Sequence, residues 1–224
     1  MGTFQKAMML KSLSYKLLRV TKPNSFPTRS FIGWFDASFN KYDSDRVAEV
    51  GIDRAAAEWI LRCGGGVRWS SGGFIKDYNS LPVGEDRLLK IAEIDGTDSC
   101  IMEHGFEHLK GLEDLWKITL VNNQYLTDDS LDFLAAYTKS RLRWLHLAGN
   151  GNISADGLLK LQRLTNLEYL KIENLQKVKN PEVVLKELQF KLPKCNIEFP
   201  PFTKKKLTKR GFHCLTIFSS VNLN

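Results

Sequence analysis

The chain has 224 residues, of which 43% are hydrophobic and 25% are charged, a composition typical of globular domains. It contains no run of about eighteen apolar residues, which excludes a membrane-spanning helix from the sequence pattern. The formal net charge of +7 suggests nucleic-acid binding, but six basic residues lie in the acid-free residues 1–30 and five more follow Glu198. Without these eleven charges, residues 31–198 carry a net charge of −4. A mildly acidic body lacks the basic face that phosphates require, so the sequence argues against nucleic acid as a partner.

Residues 1–30 have the composition of a targeting segment. They contain six Lys or Arg, seven Ser or Thr and no Asp or Glu. Apolar residues that would share one face of a short helix are Met9, Leu10, Leu13, Leu17 and Leu18. Such basic, hydroxylated and amphipathic segments are typical of mitochondrial transit peptides, and the alternative is a basic tail without a targeting role. The sequence therefore predicts a disordered transit peptide, with Pro23 and Pro27 marking the break before the folded body.

Residues 31–66 predict a small helical N-terminal domain. Aromatic residues suited to one helical face are Phe31, Trp34, Phe35 and Phe39. A second helix is predicted over Asp53–Arg62, where alanines, Trp59 and the pair Ile60-Leu61 provide an apolar side. The run Cys63-Gly64-Gly65-Gly66 would end this helix, because glycine favours helix termination. We expect this domain to cap the first unit of the repeats that follow.

Residues 67–199 contain an internal repeat, which is the strongest signal in the chain. The pattern Leu-x-x-Leu-x-Leu begins at Leu115, Leu142 and Leu167, and degenerate copies begin at Leu89 and Leu192. The copies start about 25 to 27 residues apart, a period typical of leucine-rich repeats. A single unit cannot bury its leucines alone, so the copies are expected to stack.

The second half of each unit predicts a turn and a helix. Asn123 and Asn150 lie eight residues after the first leucine, where an asparagine side chain bonds backbone groups of the turn. Thr127 and Ser154 then provide helix N-caps, and leucines at helical spacing follow. The predicted fold class is α/β: a short leucine-rich-repeat solenoid of about four to five strand-turn-helix units with a small helical N-terminal cap domain. A basic, disordered tail is predicted over residues 200–224.

The residues between the buried leucines of each strand are expected to point outward from the sheet. Lys117, Trp144 and Tyr169 each lie two residues after the first leucine of their unit, so they should form one row. Aromatic residues on an open sheet often anchor protein interfaces. The sequence therefore predicts a partner-binding row, and the alternative is that the N-terminal domain or the loops cover this face.

Other residue pairs are less specific. His104 and His108 are four residues apart and would share one helix face, but two histidines without a third ligand do not define a zinc site. Asp128 and Asp129 begin a predicted helix, where carboxylates complement the helix dipole. Because these pairs have simpler structural explanations, we expect no enzymatic activity.

Several motifs are not generic features of leucine-rich repeats. They are Phe31–Asn40, Asp53–Trp59, Arg62–Gly64, Lys76–Asn79, Leu81-Pro82, Ile94–Met102 and Gly105–His108. Together they resemble the ATP synthase subunit s family of animal mitochondria, also called coupling factor B, over about residues 31–199. The chain departs from the mammalian pattern at Val121 and Asn123, where those members carry Cys-x-Cys, so a vicinal dithiol is missing at that place. The tail after Phe199 also has no counterpart in that pattern.

The resemblance implies a non-enzymatic regulatory protein that associates with the mitochondrial ATP synthase, supports proton conduction and limits proton leak. It also implies a peripheral location on the matrix side of the mitochondrial inner membrane. A related protein assists assembly of the membrane arm of respiratory complex I and shares some of these motifs, so that role is one alternative. A second alternative is a ubiquitin-ligase substrate receptor, which uses this repeat type but carries an F-box ahead of the repeats.

The resemblance further implies a Mg²⁺ site formed by main-chain oxygens. Family structures hold the ion at the glycine of the Arg-Cys-Gly motif and the threonine of the Asp-x-Thr-Asp-Ser motif, which match Gly64 and Thr97. Carbonyl oxygens with retained waters suit a hard cation that loses water reluctantly. Thr97 also lies eight residues after Leu89, at the predicted asparagine position of the first unit. The alternative is that Gly64 serves only to end a helix.

Overall fold

The computed structural model describes residues 28–82 and 89–200. Residues 1–27 of the predicted transit peptide and residues 201–224 of the predicted tail lie outside the described residues. The predictions made for those two segments therefore remain sequence predictions.

The chain divides into two units, Met1–Phe35 and Asp36–Asn224. Within Met1–Phe35, the structure describes the start of helix α1 (Thr28–Phe39), where the Trp34 side chain is 65% exposed. The second unit contains the remaining described elements. The first predicted helix is thus present, and it begins within the segment assigned to the transit peptide.

Helices α2 (Ser44–Val50) and α3 (Ile52–Arg62) follow α1. The Asp43 carboxylate accepts the N–H of Arg46 at 2.9 Å and caps α2, which the sequence pattern does not predict. Helix α3 confirms the second predicted helix. Its buried residues include Ala55, Ala56, Ala57, Trp59, Ile60 and Leu61. After α3 the backbone turns at Gly64, whose φ of 87° lies in the region that favours glycine.

A short antiparallel hairpin precedes the parallel part of the sheet, and the repeat pattern does not predict it. Strand β1 (Gly66–Trp69) pairs with β2 (Phe74–Ile75). Gly72 and Gly73 provide the positive φ values of the turn, 94° and 85°. Strands this short contain too few residues for an alternating hydrophobic pattern to be recognised.

Five parallel strands carry the repeat. They are β3 (Ile91–Asp95), β4 (Lys117–Val121), β5 (Trp144–Ala148), β6 (Tyr169–Glu173) and β7 (Asn196–Glu198). Within the described residues the sheet has seven strands in the order β2-β1-β3-β4-β5-β6-β7. The β1–β2 and β1–β3 pairs are antiparallel, so the sheet is mixed. The predicted α/β class is confirmed.

Helical segments connect the parallel strands. They are the 3₁₀ segment Glu103–Leu109, α4 (Asp128–Thr138), α5 (Ala155–Leu159) with the 3₁₀ turn Lys160–Arg163, and α6 (Pro181–Lys191). Thr127 and Ser154 are the N-cap residues of α4 and α5, as predicted. The repeat positions form the core, with at most 2% exposure at Leu115, Ile118, Leu120, Leu142, Leu145, Leu147, Leu167, Leu170 and Ile172. No helix in residues 28–82 or 89–200 is long and apolar enough to cross a membrane.

The two degenerate copies pair in a register that differs from the prediction. Ile94 pairs with Ile118, and Ile197 pairs with Leu170. In the predicted register, the residue opposite Ile118 and the residue opposite Leu170 would each lie two positions earlier in the chain. The fully buried Ile91 therefore starts the first unit, because a β-branched residue can fill a leucine position in a strand. A shift of two residues keeps each side chain on its own face of the sheet, so the predicted inward and outward sets survive.

A buried asparagine ladder joins the turns that follow the strands. The Asn123 side-chain amide donates to the Gly96 carbonyl at 2.8 Å, and the backbone N–H of Asn123 donates to Asn150 Oδ1 at 2.8 Å. Asn150 Nδ2 donates to the Leu120 carbonyl at 2.9 Å. In the first repeat unit Ser99 occupies the asparagine position, and its hydroxyl donates to Asn123 Oδ1 at 2.6 Å. The predicted role of the two asparagines is confirmed.

Asn40 connects the end of α1 to the first repeat unit. Its Oδ1 accepts Trp59 Nε1–H at 3.1 Å and the Met102 N–H at 2.8 Å. Its Nδ2 donates to the carbonyls of Asp36, at 2.9 Å, and Cys100, at 2.8 Å. Asn40 is 0% exposed, so this fully bonded side chain fixes the position of three chain segments inside the protein.

Candidate partner-binding face of the sheet

The outward residues of the parallel strands form rows because the strands pair in register. Lys117 pairs with Trp144, and Trp144 pairs with Tyr169. All three side chains are partly exposed. The predicted row is present, and the described residues leave it accessible instead of covering it. We give the name outer face to the side of the sheet that carries this row and its charged neighbours Arg68, Glu93, His146, Lys171, Glu173 and Glu198.

The three side chains of the row stack across neighbouring strands. The rings of Trp144 and Tyr169 have centroids 5.6 Å apart and planes inclined by 17°. Lys117 Nζ lies 4.8 Å from the Trp144 ring centroid, within the range of a cation–π contact. Since strands lie about 4.8 Å apart, in-register aromatic residues stack without distortion. The result is a pre-ordered aromatic platform with a cation at one end.

Ion pairs extend the row toward the hairpin. Lys117 Nζ lies 3.1 Å from Glu93, and Arg68 Nε lies 3.2 Å from the other carboxylate oxygen of Glu93. An exposed pair of this kind contributes about 0–1 kcal/mol to stability, so its main effect is to orient Lys117. Sequence reasoning missed Glu93 because the first unit was placed two residues out of register.

A second row lies beside the first. His146 Nε2 is 2.9 Å from Glu173, and Lys171 Nζ is 3.1 Å from the same carboxylate. Burial acts to raise the pKa of Glu173, but hydrogen bonds from Lys171 and His146 outweigh it and hold the pKa below its ordinary value. His146 also contacts Trp144 edge-on, with centroids 5.9 Å apart. This row therefore places an ionised carboxylate, that of Glu173, beside the aromatic platform.

The far end of the platform is also held by a carboxylate. The pKa of Tyr169 is raised, mainly by the hydrogen-bonding influence of the Glu198 carboxylate. At the opposite end, Trp116 is 40% exposed, and its ring centroid lies 5.8 Å from Lys117 Nζ. The outer face thus offers aromatic area with charges at its edges, an arrangement suited to recognition of another protein.

The two predicted main-chain ligands of Mg²⁺ lie on neighbouring loops. The carbonyl of Cys63, next to Gly64, accepts the N–H of Cys100 at 2.9 Å. Thr97 lies three residues before Cys100, and its N–H donates to the Asp95 carboxylate at 2.9 Å. The prediction that Thr97 occupies the asparagine position of the first repeat unit is wrong. Because the register is shifted by two residues, Ser99 occupies that position.

Side-chain metal centres are not indicated in the part of the chain that the structure describes. No group of three His, Cys, Asp or Glu side chains converges there. The predicted donor set at Gly64 and Thr97 consists of main-chain carbonyl oxygens and water, which suit Mg²⁺.

His104 and His108 do not share a face, contrary to the prediction. They lie on the 3₁₀ segment Glu103–Leu109, which has three residues per turn, so residues four apart diverge. His104 is exposed, whereas His108 is buried and stacks on Trp59 with centroids 5.1 Å apart. Burial lowers the pKa of His108, although a hydrogen bond with the Gly105 carbonyl opposes this effect. His108 is a core residue.

Asp128 and Asp129 begin α4 and connect it to the following unit. The Asp128 carboxylate accepts the N–H and the hydroxyl of Ser154 at 2.7 and 2.6 Å. Asp129 pairs with Lys160 Nζ at 3.1 Å. Both carboxylates therefore have a structural role, since they join α4 to the following repeat unit.

The geometry defines a class of protein. It is an α/β protein in which strand-turn-helix units repeat, and its open sheet presents an aromatic and charged outer face. No family model matches the chain. Curated relatives do: the mitochondrial ATP synthase subunit s of Homo sapiens and of Pongo abelii are each 40% identical over 195 residues, covering 85% of this chain and 98% of the relative. The Bos taurus protein of the same name is 39% identical over 196 residues, with the same coverage.

Identity at this level over almost the whole length of the relatives shows the family. The chain belongs to the ATP synthase subunit s family. The resemblance carried by the sequence motifs is confirmed.

Proposed function

We propose that the chain is a non-enzymatic accessory protein of the mitochondrial ATP synthase, which supports proton conduction and limits proton leak. Its relatives are named as mitochondrial ATP synthase subunit s, which supports this partner and a mitochondrial location. The observation that carries the proposal is the stacked row of Lys117, Trp144 and Tyr169 on the outer face. We propose this row as the contact with the ATP synthase.

The repeating units are proposed to form a leucine-rich-repeat solenoid. Support comes from the buried leucines in register on β4, β5 and β6 and from the Asn123–Asn150 ladder. In such a solenoid each unit contacts only its neighbours, so the sheet stays open on one side. An open sheet leaves the outer face available to a partner.

Replacing Trp144 with alanine tests the contact. We expect binding to detergent-purified ATP synthase to weaken about tenfold or more, because a buried aromatic anchor contributes heavily to an interface. Folding should be unchanged, since Trp144 is outward and partly exposed. The measurement is co-purification at matched protein concentrations, with far-ultraviolet circular dichroism as the fold check.

Phe133→Ala provides the matched control. Phe133 is also a surface aromatic, 39% exposed, but it lies on α4, away from the sheet. Normal binding by both variants would move the contact to the N-terminal helices. Co-purification with respiratory complex I instead of the ATP synthase, when wild-type protein is added to detergent-solubilised mitochondrial membranes, would support the assembly-factor alternative.

A mitochondrial location, peripheral to the inner membrane on the matrix side, is proposed together with import through residues 1–30. A fusion of residues 1–35 to a fluorescent protein is expected to colocalise with mitochondria, because the segment is basic and acid-free. Cleavage is expected near residues 23–30. A fusion in which the six basic residues are replaced by glutamine should stay in the cytosol. Cytosolic signal from the unaltered fusion would refute the targeting role.

Binding of Mg²⁺ by the main-chain oxygens of Gly64 and Thr97 is proposed as a second property. The juxtaposition of the two loops, through the Cys63–Cys100 backbone hydrogen bond, supports it. Titration with Mg²⁺ should shift the backbone amide resonances of residues 64–66 and 97–99 in a saturable way. Titration with Na⁺ at equal ionic strength is the control. Equal shifts with both salts, or none, would mean that these loops serve only the fold.

A further inference from the structure

Helix α6 (Pro181–Lys191) carries the most exposed large apolar side chain of the described residues. Phe190 is 80% exposed and Val183 is 62% exposed. They are seven residues apart, which places them on the same side of the helix, about 10 Å apart along its axis. The other side of the helix packs on the core through the buried Val184 and Leu188.

The surroundings of this apolar stripe are basic, although the body is acidic. Residues 175–194 contain five lysines and two glutamates, a net charge of +3, whereas the rest of residues 31–198 carries −7. The five lysines are all exposed: Lys177, Lys179, Lys186, Lys191 and Lys194. Lys191 Nζ lies 5.7 Å from the centroid of the Phe190 ring. Apolar and cationic groups are therefore concentrated together on and around α6.

We propose that this surface of α6 docks on an anionic phospholipid bilayer, with Phe190 and Val183 entering the headgroup region and the lysines facing lipid phosphates. Helices that lie in a membrane interface combine apolar side chains with flanking lysines in this way. Lysine stems bury against apolar surface while the ammonium groups stay hydrated. The proposal gives a contact surface to the peripheral location proposed above, but it requires no contact with the ATP synthase.

A lipid surface fits these residues better than a protein does. Lys186 and Glu187 lie between Val183 and Phe190, so the stripe is not a contiguous apolar patch of the kind that protein interfaces bury. A fluid interface accepts separated apolar groups because lipid headgroups rearrange around them. Opposite charge draws the lysine-rich region, and not the acidic remainder of the body, toward an anionic membrane.

The test uses the full chain and vesicles that contain no protein. Co-flotation is measured with vesicles of phosphatidylcholine alone and of phosphatidylcholine with cardiolipin. We expect binding to the cardiolipin vesicles, weakened by salt, and about tenfold or more weaker binding for Phe190→Ser. The double variant Lys191→Gln, Lys194→Gln should also lose about tenfold or more, since each surface lysine contributes about fivefold. Phe133→Ser, which removes a 39% exposed aromatic on α4, should bind like wild type.

Three results would overturn the proposal. The first is equal flotation with both vesicle types, or with neither. The second is unchanged binding by Phe190→Ser while replacing Lys204, Lys205 and Lys206 with glutamine abolishes it, which would assign the contact to the tail. The third is loss of binding to detergent-purified ATP synthase by Phe190→Ser with vesicle binding intact. Failure of the ATP synthase contact alone, tested with Trp144→Ala, leaves the vesicle result unaffected.

Discussion

Asn40→Ala is expected to lower the free energy of unfolding by roughly 3 to 5 kcal/mol. The side chain is 0% exposed, and removing it leaves the Trp59 indole N–H, the Met102 N–H and two carbonyls without their partner. Each buried polar group left without a hydrogen bond costs about 1–3 kcal/mol, and partial entry of water into the cavity reduces the sum. The measurement is urea unfolding followed by circular dichroism and by tryptophan fluorescence.

The matched control for this prediction is Asn166→Ala. Asn166 also donates from its side chain to a backbone carbonyl, that of Ser140 at 2.9 Å, but the bond is exposed. Water replaces the lost partner at an exposed site, so the change should stay within about 0.5 kcal/mol. Equal unfolding midpoints for the two variants would show that Asn40 does not hold Asp36 to the loop that contains Cys100 and Met102.

Leu145→Asp is expected to destabilise the protein by several kcal/mol, enough to prevent folding near body temperature. Leu145 is 0% exposed at the centre of the sheet, paired in register with Ile118 on β4 and Leu170 on β6. A carboxylate at this position would have to be buried without a partner or be neutralised by protonation, and both outcomes cost free energy. Thermal unfolding of the purified variant, or its recovery in the insoluble fraction, measures the effect.

Thr119→Asp is the control, because Thr119 is partly exposed on the outer face, pointing away from the core. The same carboxylate on the solvent side should shift the unfolding midpoint only slightly, apart from weak repulsion with the neighbouring Asp95. If Leu145→Asp unfolds at the wild-type temperature while Thr119→Asp does not, the two faces of the strand have been assigned in reverse.

The candidate binding row could be predicted because it depends on local spacing. A position two residues after the first leucine of each clear unit points outward, and the intervals between these units keep Lys117, Trp144 and Tyr169 in line. Glu93 could not be assigned to the same row, since its unit lacks a leucine at the expected place and the pairing of β3 with β4 sets its position. The ionic frame around the platform likewise depends on distances between strands.

The features that repeat at short range follow from the amino-acid sequence alone: the inward leucines, the turn asparagines and the helix caps. Their periodicity reflects the constraint that every unit must bury the same face and satisfy the same backbone groups. The contacts between these features and the non-repeating segments are set by tertiary packing. Asn40 bonds Cys100, sixty residues away, and His108 stacks on Trp59, because burial of a polar side chain requires partners that no local pattern specifies. The register of β3 and β7 was decided in the same way, since a shift of two residues preserves the hydrophobic pattern and only strand pairing distinguishes the alternatives.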